Sequence, residues 1–251
     1  MAWCGRGRIL TGTLTVLVLL LSGQGGAEPK PRPVAFRGLH FFIFDVKPGE
    51  QVSAVLAPAR SRAEYGPISY EVIDGKSRML IDPRDTDGKT VVSFTAARDG
   101  GDVAVLIVRG GRNWYALVSP EHPCIVRASR NQPAHVTGDT RPFHFYVPPG
   151  TKSFRIFVAC DSPREGATVR ILRPDGTEAA LMTDQFDRPR AVSVRNPDGG
   201  AGVWAIRLEH PRRHGADFAL DDVVLYLGKN IPPFLALDRS ALPGLILRHP
   251  E

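Results

Sequence analysis

Apolar and polar positions alternate with a period of two along most of this chain. Phe42, Phe44 and Val46 alternate with Ile43 and Asp45, and Phe143, Phe145 and Val147 alternate with His144 and Tyr146. Such alternation running into Pro-Gly predicts a strand followed by a turn. The same rhythm predicts strands at 52–57, 68–73, 91–94, 103–108, 114–118 and 125–128. It predicts a second series at 154–159, 169–172, 191–194, 203–208, 218–220 and 223–227. Asp74-Gly75 and Asp175-Gly176 close the third strand of each series, and Asp-Gly is a strong hairpin signal.

The two series are copies. Their first landmarks stand 101 residues apart, the Asp-Gly turns keep that offset, and Val92-Ser93 with Asp99-Gly100-Gly101 answers Val192-Ser193 with Asp198-Gly199-Gly200. Ordered landmarks with small length changes mark an internal duplication. About seven short strands per copy predict an all-β protein: two tandem antiparallel β-sandwich, jelly-roll-like domains after a cleaved signal peptide. The expected boundaries are a signal peptide at 1–27, a leader at 28–33, repeat 1 at 34–128, a linker at 129–138, repeat 2 at 139–228 and a C-terminal strap or tail at 229–251.

The N-terminus bears on compartment and charge. Arg6 and Arg8 precede an apolar run from Ile9 to Leu21, and Gly25-Gly26-Ala27 fits cleavage before Glu28. The run is too short for a bilayer span, which needs about 20 residues. The mature chain is therefore expected to be secreted or periplasmic, with no membrane span. Its 32 basic and 26 acidic residues become a net charge of about +4 once Arg6 and Arg8 leave. Arg164, Arg170, Arg173, Arg188, Arg190 and Arg195 gather in repeat 2, as a solvated surface or a contact for an anionic polymer. No basic run is dense enough to predict a nucleic-acid partner. Export permits a Cys124–Cys160 disulfide, with two buried free thiols the favoured alternative.

Val147-Pro148-Pro149-Gly150-Thr151-Lys152-Ser153, then Arg173-Pro174-Asp175-Gly176, then Gly202-Val203-Trp204-Ala205-Ile206-Arg207-Leu208 resembles the bacterial pre-peptidase C-terminal domain. More broadly it is similar to galactose-binding-like jelly rolls. The likeness spans 140–228 and, more loosely, 38–128. It implies a non-catalytic module of a secreted protein, engaged in substrate attachment or domain packing, and it implies that a structural calcium could be present.

Catalytic motifs are absent: no Gly-x-Ser-x-Gly, His-Glu-x-x-His, P-loop or Gly-x-Gly-x-x-Gly occurs. Of seven histidines only His210 and His214 are close in sequence, so the chain is not expected to be an enzyme, and no cofactor is implied beyond that calcium. Asp82, Asp85 and Asp87 before Gly88 form half of an oxygen-rich calcium loop, and Asp217, Asp221 and Asp222 form a second acidic group. Solvated turn aspartates, acting through local backbone hydrogen bonds, are the favoured reading of both groups. Alternation turns Trp204 into the core. Aligning Tyr115 and Leu117 with Phe218 and Leu220 turns Trp114 outward, flanked by Arg112 and Asn113 as hydrogen-bonding neighbours. Trp114, Arg112 and Asn113 are thus the candidate ligand site, with packing of Trp114 against the other domain or the C-terminal strap the favoured alternative, and with Tyr65, Tyr146 and Phe186 as weaker rings. The leading expectation is an exported non-catalytic module that recognises a glycan or cell-envelope polymer. The alternative is a structural module docking on a secreted protein partner, for which the outward Leu39, Phe41 and Ile43 would supply a covered face.

Overall fold

A computed structural model describes residues 34–60, 62–118, 121–137, 141–163, 165–213, 216–217 and 220–248. The expected signal peptide and leader lie outside them. The described chain is nearly all β, and every paired strand is antiparallel. In the first copy β1 (Ala35–Asp45), β2 (Gln51–Arg60), β3 (Ile68–Asp74), β4 (Met79–Thr86), β5 (Thr90–Thr95), β6 (Val103–Val118) and β7 (Cys124–Arg127) follow one another. In the second come β8 (Ala134–Thr137), β9 (Phe143–Val147), β10 (Ser153–Cys160), β11 (Ala167–Leu172), β12 (Glu178–Asp184), β13 (Arg190–Arg195) and β14 (Gly202–Glu209). The hairpin β15 (Arg212–Arg213) and β16 (Ala216–Asp217), then β17 (Val223–Leu227), β18 (Phe234–Ala236) and helix α1 (Ala241–Arg248) complete it.

Aromatic and β-branched residues suit these half-buried strands. Phe42, Phe44, Phe143, Phe145 and Phe154 are at most 2% exposed, each burial contributing roughly 1.5–3 kcal/mol. The turns after β1 and β9 place Gly49 and Gly150 at the same φ of 80°, a left-handed conformation that glycine adopts without steric penalty. Their amides close the turns on Ala96 O at 2.9 Å and Gly199 O at 2.8 Å.

Pairing repeats along with sequence. β4-β3-β6-β1 in the first copy matches β12-β11-β14-β9 in the second, and β5-β2-β6 matches β13-β10-β17. One long strand, β6, therefore serves where the second copy uses two. Its halves turn about residues 110–113, opposite Gly38 of β1, whereas β14 and β17 are separated by residues 210–222.

The copies share their sheets rather than standing apart, and residues 31–251 form one compact unit. β8 arises inside the segment expected to be a linker, and it pairs with both β1 and β17. At this seam Phe36 faces Val136. These two residues are counterparts, since Phe36 pairs with Tyr115 while Val136 pairs with Val223. A second join has the order β1-β7-β18-β9, where Ile125 faces Ala236. They too are counterparts, because Ile43 pairs with Ile125 and His144 with Ala236. Two antiparallel pairs of equivalent residues relate the copies by a local two-fold.

The C-terminal segment acts as a strap. β18 enters the sheet, and Ala241, Leu242 and Ile246 of α1 form a small core with Ile125, Phe234 and Ala236. Ile43, Val103, Tyr146 and Val203 pack against that core. Pro243 sits in the first turn of the helix, where its missing N–H is harmless. The chain thus covers Ile43, on the outward face of β1, with its own segment, while Leu39 stays 44% exposed. No described helix is long and apolar enough to cross a membrane.

Candidate functional site

A groove of about 710 Å³ lies on β10, β13 and β17. Alternation in β10 sends Phe154, Ile156 and Val158 into the core and leaves Arg155 and Phe157 on the other face. Phe157 stands directly opposite Tyr226 of β17. Their rings stack at 4.7 Å between centroids with planes 5° apart. Arg155, one step along the same face, is opposite Ser193. Arg130, Arg195 and Lys229 complete a cationic rim, and none of the described residues lining the groove is a carboxylate. Flat apolar rings within a ring of fixed positive charge can hold a planar or ring-shaped ligand that carries anionic groups.

The first copy lacks this chemistry at the same positions. Phe157 pairs with Tyr226 and Ala191, and Val55 pairs with Val118 and Val91. Register therefore makes Val55 and Val118 the counterparts of the stacked rings, and Ser53 that of Arg155.

The same register corrects the counterparts expected for the Trp114 site, and burial corrects its exposure; Tyr115 and Leu117 face the core and Trp114 the other side, as expected. Tyr115 and Leu117 correspond to Val223 and Leu225; Phe218 lies outside the described residues. The long excursion at 210–222 had displaced the alignment. Trp114 is 6% exposed, and its counterpart is Asp222. The indole is held in the seam, with Arg37 Cζ 5.6 Å from its ring centre and the His135 ring edge-on at 5.5 Å. Asn113 is 1% exposed. Its Oδ1 accepts from the Arg62 amide at 3.1 Å and its Nδ2 donates to Gly66 O at 2.7 Å, so its amide is used in holding a loop. Arg112 alone of the three is exposed. Tyr65 and Tyr146 are half-buried and Phe186 is buried. Trp204 is 3% exposed, edge-on to Phe154 at 5.1 Å.

The expected calcium loop does not assemble. Asp82 and Asp85 are exposed on β4, with Asp87 beyond its end, and no convergent donor group among the described residues includes them. Asp221 and Asp222 serve the seam instead. Arg37 Nη1 donates to Asp222 Oδ2 at 2.6 Å, Thr137 Oγ1 donates to Asp221 Oδ1 at 2.6 Å, and Arg60 lies 3.3 Å from Asp221. Burial raises the Asp222 pKa, but the close His135 imidazole and the Arg37 guanidinium, which donates a hydrogen bond to it, outweigh burial and hold the group below its usual range. The side chains of Asp217 and His214 lie outside the described residues. Cys124 and Cys160 are free thiols on different strands, so the disulfide is not formed. Burial pushes both up to about 12.

The fold and groove define an antiparallel β protein, built from a duplicated unit, with a cationic face that carries a stacked aromatic pair. No family model matches the chain, and none of the curated proteins does. Among solved structures, it is similar to the N-terminal CBM22-1-CBM22-2 tandem domain of Xyn10C from Paenibacillus barcinonensis, at 8% identity and a TM-score of 0.15. That likeness covers 82% of this chain and 79% of the other; at such a score nothing further rests on it.

Proposed function

We propose that the protein is an exported, non-catalytic binding module that recognises an acidic glycan or cell-envelope polymer. Its two copies are read as jelly-roll-like sandwiches fused through shared sheets, after a signal peptide at 1–27. The observation that carries the reading is the groove: among its described residues, Phe157 and Tyr226 stack within four cations and no carboxylate. A sugar ring can lie against the outer face of the stacked pair while its uronate, sulfate or phosphate groups meet the guanidinium rim. The secreted-protein alternative is weaker, because the apolar face on which it rested is covered in part by β18 and α1.

The test is retention on immobilised acidic and neutral polysaccharides, measured for the wild type, Phe157→Ala, Tyr226→Ala and Arg155→Glu. Removing a ring that covers roughly 50 Å² of sugar forfeits about 1.3 kcal/mol, near tenfold in affinity. Arg155→Glu should weaken retention on acidic polymers, and added salt should do the same. Equal retention by all four proteins, or none on any polymer, would sink the reading.

A further inference from the structure

Away from the groove, the seam gathers one imidazole and two carboxylates. His135 of β8, Asp161 after β10 and Asp222 before β17 each present a donor atom, and the three atoms lie within 4.8 Å of one another. His135 Nε2 is 3.4 Å from Asp222 Oδ1 and 4.0 Å from Asp161 Oδ2. A second observation points to a missing occupant. Asp222 is only 8% exposed, and both its Oδ1 and His135 Nε2 are buried atoms with no hydrogen-bond partner. At 3.4 Å they face each other without hydrogen-bond alignment. Arg37 occupies the other oxygen, Oδ2, which leaves Oδ1 turned toward the imidazole. Buried polar atoms are normally satisfied, and an unmatched one is costly.

We propose that His135, Asp161 and Asp222 bind a divalent transition-metal ion, with zinc the best fit. Zinc takes His nitrogen and carboxylate oxygen at about 2.0–2.2 Å in tetrahedral geometry, which sets neighbouring donor atoms roughly 3.3–3.6 Å apart. The 3.4 Å pair already has that spacing. Asp161, whose side chain is 53% exposed, can close the 4.0 Å gap by a small rotation, and its open side leaves the fourth position to water. A nitrogen in the donor set favours zinc over calcium, which takes six to eight oxygens. The surrounding charge also suits a dication. Asp221 pairs with Arg60, and Asp222 with Arg37, while the ion-pair contact of Asp161 among the described residues is with the imidazole of His135. The backbone is set in place as well, since the His135 amide donates to His40 Nε2 at 3.0 Å. The bound ion would tie β8, β10 and the start of β17 together at the join between the copies. This inference is independent of the glycan reading.

The test titrates zinc, manganese and calcium chlorides into tag-free full-length protein, first stripped with EDTA, by isothermal calorimetry with parallel thermal melts. The wild type should bind one zinc, with a raised melting temperature at about 100 μM zinc, and should bind calcium more weakly. Asp161→Asn changes an exposed side chain, so it should keep the metal-free melting temperature while weakening zinc at least tenfold. His135→Gln should abolish binding; should that variant fail to fold, Asp161→Asn decides alone. Absence of zinc binding by the wild type, zinc binding unchanged in Asp161→Asn, or calcium bound more tightly than zinc would each overturn the proposal.

Discussion

His40 gives the sharpest stability prediction. The ring is 1% exposed, packed against Phe36 at 5.0 Å and Tyr115 at 5.9 Å. Its Nε2 accepts the His135 amide at 3.0 Å, and its Nδ1 is 2.7 Å from the Tyr115 hydroxyl. An accepting Nε2 assigns the neutral ring its proton on Nδ1, which donates to the Tyr115 oxygen. A second proton would set Nε2–H against the amide N–H. Burial first, and the neighbouring His135 second, push the pKa from 6.5 down to about 3. Between those values the unfolded chain binds a proton that the folded chain refuses. The stabilising contribution is therefore complete above pH 6.5 and declines as the pH falls toward 3. At pH 5 the loss from this one group is about 2 kcal/mol, from 1.5 units at 1.36 kcal/mol each. Urea unfolding of the wild type and His40→Gln at pH 8 and pH 5 isolates it, because glutamine keeps an acceptor and does not titrate. Other groups titrate in both proteins and largely cancel. The wild type should lose about 2 kcal/mol more than the variant between the two pH values. Equal losses, or a His40 ring proton signal that titrates above pH 5, would refute the reasoning.

Two further outcomes follow from burial. Trp114→Ala should destabilise the fold by about 3–5 kcal/mol in chemical denaturation, since it empties a buried seam position. An exposed indole would instead leave stability within about 0.5 kcal/mol. Cys124 and Cys160, both held near 12 by burial, should resist a thiol reagent at pH 8 until the protein is denatured without reductant. A peptide map showing the two linked would contradict this.

The strands and the duplication were legible because a period of two and turn residues are local signals. Phe42 and Phe143 announce their strands without reference to anything distant. The joining of the copies was not legible in this way. It depends on which strand meets which across the chain, and the four residues of β8 carry too little pattern to stand out from a linker. Trp114 was legible in part: Tyr115 and Leu117 enter the core and Trp114 takes the opposite side, as alternation predicts. Nothing local showed that Arg37 of β1 and His135 of β8 cover that side and bury the indole. The groove had a readable signal that went unused. Strands expected at 154–159 and 223–227 put Phe157 and Tyr226 on the faces opposite their buried neighbours, but nothing local shows that the two strands adjoin.

Duplication sets a constraint at the seam that divergence relieves. A local two-fold brings equivalent positions close together, so an unchanged duplicate would confront like with like. Register places Trp114 opposite Arg37 in one copy, and makes Asp222 and Thr137 their counterparts. Two arginines and two tryptophans there would crowd a buried space and leave charge unmatched, whereas Arg37 with Asp222 gives a pair at 2.6 Å. The counterpart of Ala35 has likewise become His135, which supplies the imidazole that meets Asp222 and Asp161. The same divergence separates the outer faces. Only the second copy carries the stacked rings, while Val55 and Val118 in the first offer neither aromatic nor charged contacts. On the proposed function, the second copy is the binding face and the first its support, and a single polymer segment per molecule is the stoichiometry that this asymmetry predicts.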